Sequence, residues 1–115
     1  MNKPIKIIII DDNTVAVESI RKHFAYSEEI KVVATFNNGE EALQYLINHP
    51  CEIDLAVLEL LLPRLDGVSL LDEIKNRNLK IKSIVTSSYK DNHVITNSEN
   101  YNVYCCLLYT SDAAD

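Results

Sequence analysis

The sequence predicts a doubly wound α/β fold, a parallel sheet covered by helices on both faces. Two observations carry this. Short apolar, β-branched runs alternate along the chain with segments whose apolar residues recur at helical spacing. The first run, Ile5 to Ile10, is broken only by Lys6, which suits a strand buried on both faces of a parallel sheet better than an alternating edge strand.

The elements follow in order. The first strand ends abruptly at Asp11-Asp12. From Thr14 to about Phe24, the residues Ala16, Val17, Ile20 and Phe24 recur at helical spacing, and the polar Ser27-Glu28-Glu29 separates them from a strand over Ile30 to Phe36. Asn37-Asn38-Gly39 reads as the turn after it. A helix from Glu40 to Asn48 gathers Ala42, Leu43, Leu46 and Ile47 on one face, and His49-Pro50 stops it. Leu55 to Leu58 is a short buried strand. Beyond Pro63 and Asp66-Gly67, a helix from about Val68 to Asn76 buries Val68, Leu70, Leu71 and Ile74. A strand over Ile81 to Thr86, a polar helix over Asp91 to Asn100 and a last strand from Val103 complete the pattern.

Composition bounds the function. At 115 residues, 47% hydrophobic and 24% charged, the chain matches one ordinary domain able to bury roughly two-thirds of its unfolded surface. No apolar run approaches the ~20 residues of a membrane span, and Met1-Asn2-Lys3-Pro4 leads into too short an apolar stretch for a signal peptide, so a cytoplasmic location is expected. Cys51, Cys105 and Cys106 are odd in number and lack any framework or zinc spacing. Only two glycines, Gly39 and Gly67, are present, which excludes the glycine-rich phosphate loops. With 17 acidic against 11 basic residues and a net charge of -6, direct nucleic-acid binding by this segment is disfavoured.

In open α/β sheets the working residues lie beyond the carboxyl ends of the strands, where the strand order reverses. That places Asp11, Asp12, Glu59 and Thr86 at the expected site. Adjacent carboxylates in a partly desolvated place repel each other, and a cation or hydrogen-bond donors must compensate them. Asp12 or Asn13 could equally serve as a cap for the following helix. Glu59 ends the Leu55–Leu58 strand, and three acids, Asp11, Asp12 and Glu59, with no nearby lysine or arginine in sequence suggest a hard divalent cation, Mg²⁺.

Three segments together resemble the receiver domain of bacterial response regulators: a strand followed by Asp11-Asp12-Asn13, the run from Asp54 through Glu59 and Pro63 to Asp66-Gly67, and Thr86-Ser87 ending a strand. Val33 to Leu43 and Arg64-Leu65-Asp66-Gly67 look most like the stage zero sporulation protein A type. The similarity covers about residues 3 to 105. It implies a flavodoxin-like, CheY-like five-stranded sheet of order 2-1-3-4-5. It also implies that Asp11 and Asp12 help to hold Mg²⁺, that the residue-59 carboxylate accepts a phosphoryl group from a histidine kinase or phosphotransferase, and that Thr86 is a switch hydroxyl. The family's acceptor is aspartate, whereas this chain has Glu59. The extra methylene pushes the carboxylate outward by about 1 Å or more, which disturbs in-line transfer and can instead imitate the phosphorylated state.

The resemblance further implies a non-enzymatic module of a two-component phosphorelay, which precedes a DNA-binding output domain absent from this chain and can pair as a homodimer. Lys90, His93 and Cys51 read as bystanders. The family ends its fifth strand with Lys-Pro and adds a fifth helix; Leu108 and Tyr109 stand where the lysine should fall, and the pattern is truncated before the last helix. Residues 106–115, Cys106 to Asp115, resemble the in-frame translation of a transposase adapter used in sequencing libraries. The expected division is therefore a receiver over 1–105 and a foreign tail over 106–115. Two competing readings are a Mg²⁺-dependent phosphohydrolase of another α/β family with Asp11 as nucleophile, and a ligand-free interaction module.

Overall fold

The computed structural model describes residues 3–87 and 103–108. The helix expected over Asp91–Asn100, Lys90, His93 and residues 109–115 lie outside the described residues. The elements are β1 (Ile5–Ile10), α1 (Thr14–His23), β2 (Ile30–Phe36), α2 (Gly39–Asn48), β3 (Leu55–Leu58), α3 (Gly67–Asn76), β4 (Lys82–Ser87) and β5 (Val103–Leu108).

The five strands form one sheet in the order β2-β1-β3-β4-β5, and every adjacent pair is parallel. This is the doubly wound order expected. The chain moves from β1 outward to β2, then crosses back over β1 to β3 and continues to β4. Right-handed crossovers therefore put α1 on one face and α2 and α3 on the other.

Strand alternation decides which residues meet these helices. Ile8 and Ile10 of β1, Ala56 and Leu58 of β3 and Val85 of β4 pack with Ala42, Leu43 and Leu46 of α2 and with Leu70, Leu71 and Ile74 of α3. Each of the fully buried large side chains here, such as Leu58, Leu70 and Leu71, contributes about 1.5–3 kcal/mol over its exposed state. Ile7 and Ile9 alternate to the opposite face and are buried too, as is Val17 of α1. The two-sided burial expected of the first strand thus holds from Ile7 onward. Ile5 is 47% exposed and Lys6 is exposed, because the strand begins at the open amino edge of the sheet.

Small departures from the expected boundaries have local causes. Gly39 and Gly67 are each the first residue of a helix, since Asn38 and Asp66 supply the caps through their side chains. Ile81 donates its N–H to Leu79 O in a turn, so β4 begins at Lys82. Strand β5 runs three residues past Cys105, with Cys106, Leu107 and Leu108 registered against Val85, Thr86 and Ser87. Parallel pairing engages only backbone groups, which an apolar Cys-Leu-Leu run of any origin can supply.

Candidate functional site

The strand order reverses between β1 and β3, and the segments leaving these two strands meet at the carboxyl edge of the sheet. Glu59 N donates to Ile10 O at 2.9 Å, extending the β1–β3 pairing by one residue. Asp11 N donates to Phe36 O at 2.9 Å, which ties the same point to the end of β2. Leu58 pairs with Val85, so Glu59 and Thr86 follow at the same level on neighbouring strands. The backbone ladder thus brings Asp11, Glu59 and Thr86 to one edge.

Asp11 is only 8% exposed, and its Oδ1 accepts the Asn13 N–H at 2.9 Å. Burial pushes its carboxyl above the ordinary aspartate range, the Asn13 N–H opposes this, and the charges of Glu59 and Asp12 push it up further. Asp12 is exposed. The capping role left open between Asp12 and Asn13 belongs to Asn13, whose Oδ1 accepts from Val15 N at 3.0 Å and Ala16 N at 3.2 Å. That commitment accounts for the asparagine at the position where a phosphohydrolase would need its second acid.

Glu59 is half-buried, and its Oε2 accepts the backbone N–H of Leu61 at 3.0 Å. The side chains of Leu61, 52% exposed, and Val15, 77% exposed, form apolar lips on an open cleft floored by Asp11, Asp12 and Glu59. Among the described residues, no group of three or more His, Cys, Asp or Glu side chains is arranged to hold a metal ion. Thr86 is buried on β4 and does not line this cleft.

The segment from Glu59 to Asp66 positions the site, and its supports were not read from the sequence. Gly67 N donates to Leu60 O at 2.8 Å, and Asp66 caps α3 by accepting from Ser69 N at 2.8 Å. Pro63 O and Arg64 O accept from Gly39 N at 3.4 Å and Glu40 N at 2.8 Å, the first amides of α2. The Arg64 guanidinium forks to Glu40 at 2.7 Å and Glu41 at 3.3 Å. Arg64 and Leu65 hold positive φ values of 48° and 80°. A Cβ at Gly39 would lie 1.9 Å from Leu65 O, and one at Gly67 would lie 2.7 Å from Glu59 O. Both glycines of the chain therefore admit this one loop. Cys51, expected to be a bystander, is exposed, with a φ of 63°.

Comparison with known proteins agrees with this arrangement. The family model for the response regulator receiver domain matches residues 7–112. The "Probable C4-dicarboxylate response regulator DctR" of Bacillus subtilis is 30% identical over 91 residues, covering 79% of this chain and 39% of that protein. The transcriptional regulatory protein DcuR of Escherichia coli is 30% identical over 104 residues, covering 90% of this chain and 44% of that protein. The chain thus spans less than half the length of either relative. The CheY subunit in a CheX-CheY-BeF3-Mg²⁺ complex from Borrelia burgdorferi superimposes with a TM-score of 0.82 at 24% identity, over 97% of this chain and 83% of that one. No helix among the described residues is long and apolar enough to cross a membrane.

Proposed function

The chain belongs to the response regulator receiver family, and from that premise we propose that it is a receiver in which Glu59 replaces the phosphoacceptor aspartate and signals without phosphorylation. One observation carries this reading. The Glu59 carboxylate stands beside Asp11 at the switch point and already accepts the Leu61 N–H of the following loop. A carboxylate one methylene longer than aspartate supplies that loop with a fixed negative charge, one unit where a phosphoryl group brings nearly two. Thr86, level with Glu59 on β4, is the hydroxyl that would respond to the charge.

The test compares the chain with Glu59→Asp. Acetyl phosphate should label the aspartate variant far more than the parent, because glutamate places its attacking oxygen too far along the line of transfer. Equal labelling of both, mapped to residue 59 by mass spectrometry, would overturn the reading.

The donor set fits Mg²⁺ in chemistry: Asp11, Asp12 and Glu59 offer only hard oxygens, and the mutual repulsion felt at Asp11 is what a divalent cation offsets. When bound, the ion supplies charge compensation. Asp11, Asp12 and Glu59 would hold it through their carboxylate oxygens.

The wider assignment follows the same premise. The module is a non-enzymatic, cytoplasmic partner of a histidine kinase or phosphotransferase, within a sporulation-type transcription regulator that carries a DNA-binding output domain. It can pair with a second copy. In the same reading, residues 106–115 are an adapter-derived extension whose first three residues, Cys106 to Leu108, prolong β5. DcuR, a transcriptional regulatory protein by name and more than twice the matched length, supports the attached output domain.

A further inference from the structure

The loop after Glu59 is fastened to α2 by two kinds of bond. Backbone bonds run from Gly39 N and Glu40 N to Pro63 O and Arg64 O. The ion pairs from Arg64 to Glu40 and Glu41 join the same two segments through exposed side chains. The same loop carries Leu61, whose amide the Glu59 carboxylate holds. On the far side, α2 follows the end of β2, where Phe36 O receives the Asp11 N–H. A closed circuit of contacts therefore runs from Asp11 through β2, the start of α2 and the loop to Glu59.

We propose that Arg64 is a positioning residue: its fork to Glu40 and Glu41 is an ionic latch that makes the Glu59 loop and the amino end of α2 open and close as one unit. The backbone needs such help. Two consecutive non-glycine residues at positive φ, Arg64 and Leu65, are a conformation that isolated chain disfavours, so contacts outside the loop must hold it. The backbone bond from Gly39 N to Pro63 O is long at 3.4 Å, which leaves Glu40 N and the ion pairs to hold the junction. Because those pairs are solvent-exposed, salt screens them and loosens the latch.

The latch concerns the chain's own geometry; it rests on the receiver reading only where a cation is used as reporter. Amide hydrogen exchange, followed by NMR on the full chain, tests it at about 0.03 M and 0.5 M sodium chloride. In the parent, exchange of the Leu61 and Glu40 amides should quicken together, by about two- to tenfold, on raising the salt. Arg64→Ala should show the fast rates at both salts, while Arg64→Lys keeps part of the salt dependence. The Leu79 amide, bonded to Ile74 O at the far end of α3, should be unchanged throughout and so reports any general loss of stability. If Arg64→Ala speeds Glu40 but leaves Leu61 at the parent rate, helix and loop are not coupled and the latch is overturned. The same holds if Leu61 exchange in the parent ignores salt. Mg²⁺ titration adds a second arm: the ion, held at Glu59, should change the exchange of Leu61 and Glu40 together in the parent and of Leu61 alone in Arg64→Ala. A parent that binds no Mg²⁺ would count against the cation reading alone, since the exchange rates would still decide the latch.

Discussion

The carbonyl of Leu65 lies against Gly39 so closely that a Cβ on Gly39 would stand 1.9 Å from its oxygen. No real contact tolerates that distance, so Gly39→Ala must push the loop off α2 or shift the helix. Overpacking of this kind costs about 1–3 kcal/mol, or about 4–12 °C in melting temperature for a domain of this size. At an unconstrained helical position the same change would stabilise by up to about 1 kcal/mol. The sign of the shift in a thermal melt therefore decides whether the contact is real.

That contact also shows where reading the sequence stopped. Strand and helix periods were legible because burial on a parallel sheet imposes them, and the Ile30–Phe36 and Leu55–Leu58 strands occupy their expected bounds. The acids were legible because charged residues directly after apolar runs mark the sheet edge. Asn37-Asn38-Gly39 reads as a turn, yet the φ of Gly39 is not positive; this glycine opens α2 after the Asn38 cap, and its missing Cβ serves close approach. The positive φ values fall instead on Arg64 and Leu65, residue types that carry no signal for that conformation. The latch joins residues more than twenty positions apart, and no local pattern encodes such a pairing.

Ser83 gives a prediction of opposite sign. Its side chain is 1% exposed on β4, and its hydroxyl has no hydrogen-bond partner among the described residues. A buried, unpaired hydroxyl costs about 1–3 kcal/mol in desolvation. Ser83→Ala removes that cost but leaves a space of one oxygen, so a net gain of about 1 kcal/mol should raise the melting temperature by about 4 °C. A fall would mean that the hydroxyl has a bonding role.

The raised pKa of Asp11 fixes a pH dependence. Burial is its largest cause, followed by the opposing Asn13 N–H and then the charges of Glu59 and Asp12. A folded-state pKa above the unfolded value means that the native chain binds this proton more tightly. Asp11 therefore contributes stability below the ordinary aspartate value, near 3.8, and loses it as pH rises through the folded pKa. Asp11→Asn keeps an oxygen for the Asn13 amide without the charge. In the absence of divalent ions, the variant should gain on the parent as pH climbs from about 4 to 7, measured as the difference between their denaturant midpoints. A constant difference across that range would show that Asp11 does not titrate differently in the folded state.

A divalent cation should reverse this penalty, because it stabilises the buried Asp11 carboxylate and offsets the neighbouring charges of Glu59 and Asp12. Binding to the native chain alone stabilises it by RT ln(1 + [L]/Kd), about 2.7 kcal/mol at a hundredfold excess over Kd, or roughly 10 °C for a domain of this size. Mg²⁺ should thus raise the parent's melting temperature and shift the amide resonances of Asp12, Asn13, Glu59 and Leu61, which surround the cleft. Asp12→Asn separates charge from fold. Its side chain is exposed and α1 is capped by Asn13, so the variant should melt near the parent without the ion. With the ion, it should lose most of the gain. An undiminished gain in Asp12→Asn would place the cation elsewhere on the acidic surface, and the assignment of Asp11, Asp12 and Glu59 would fall with it.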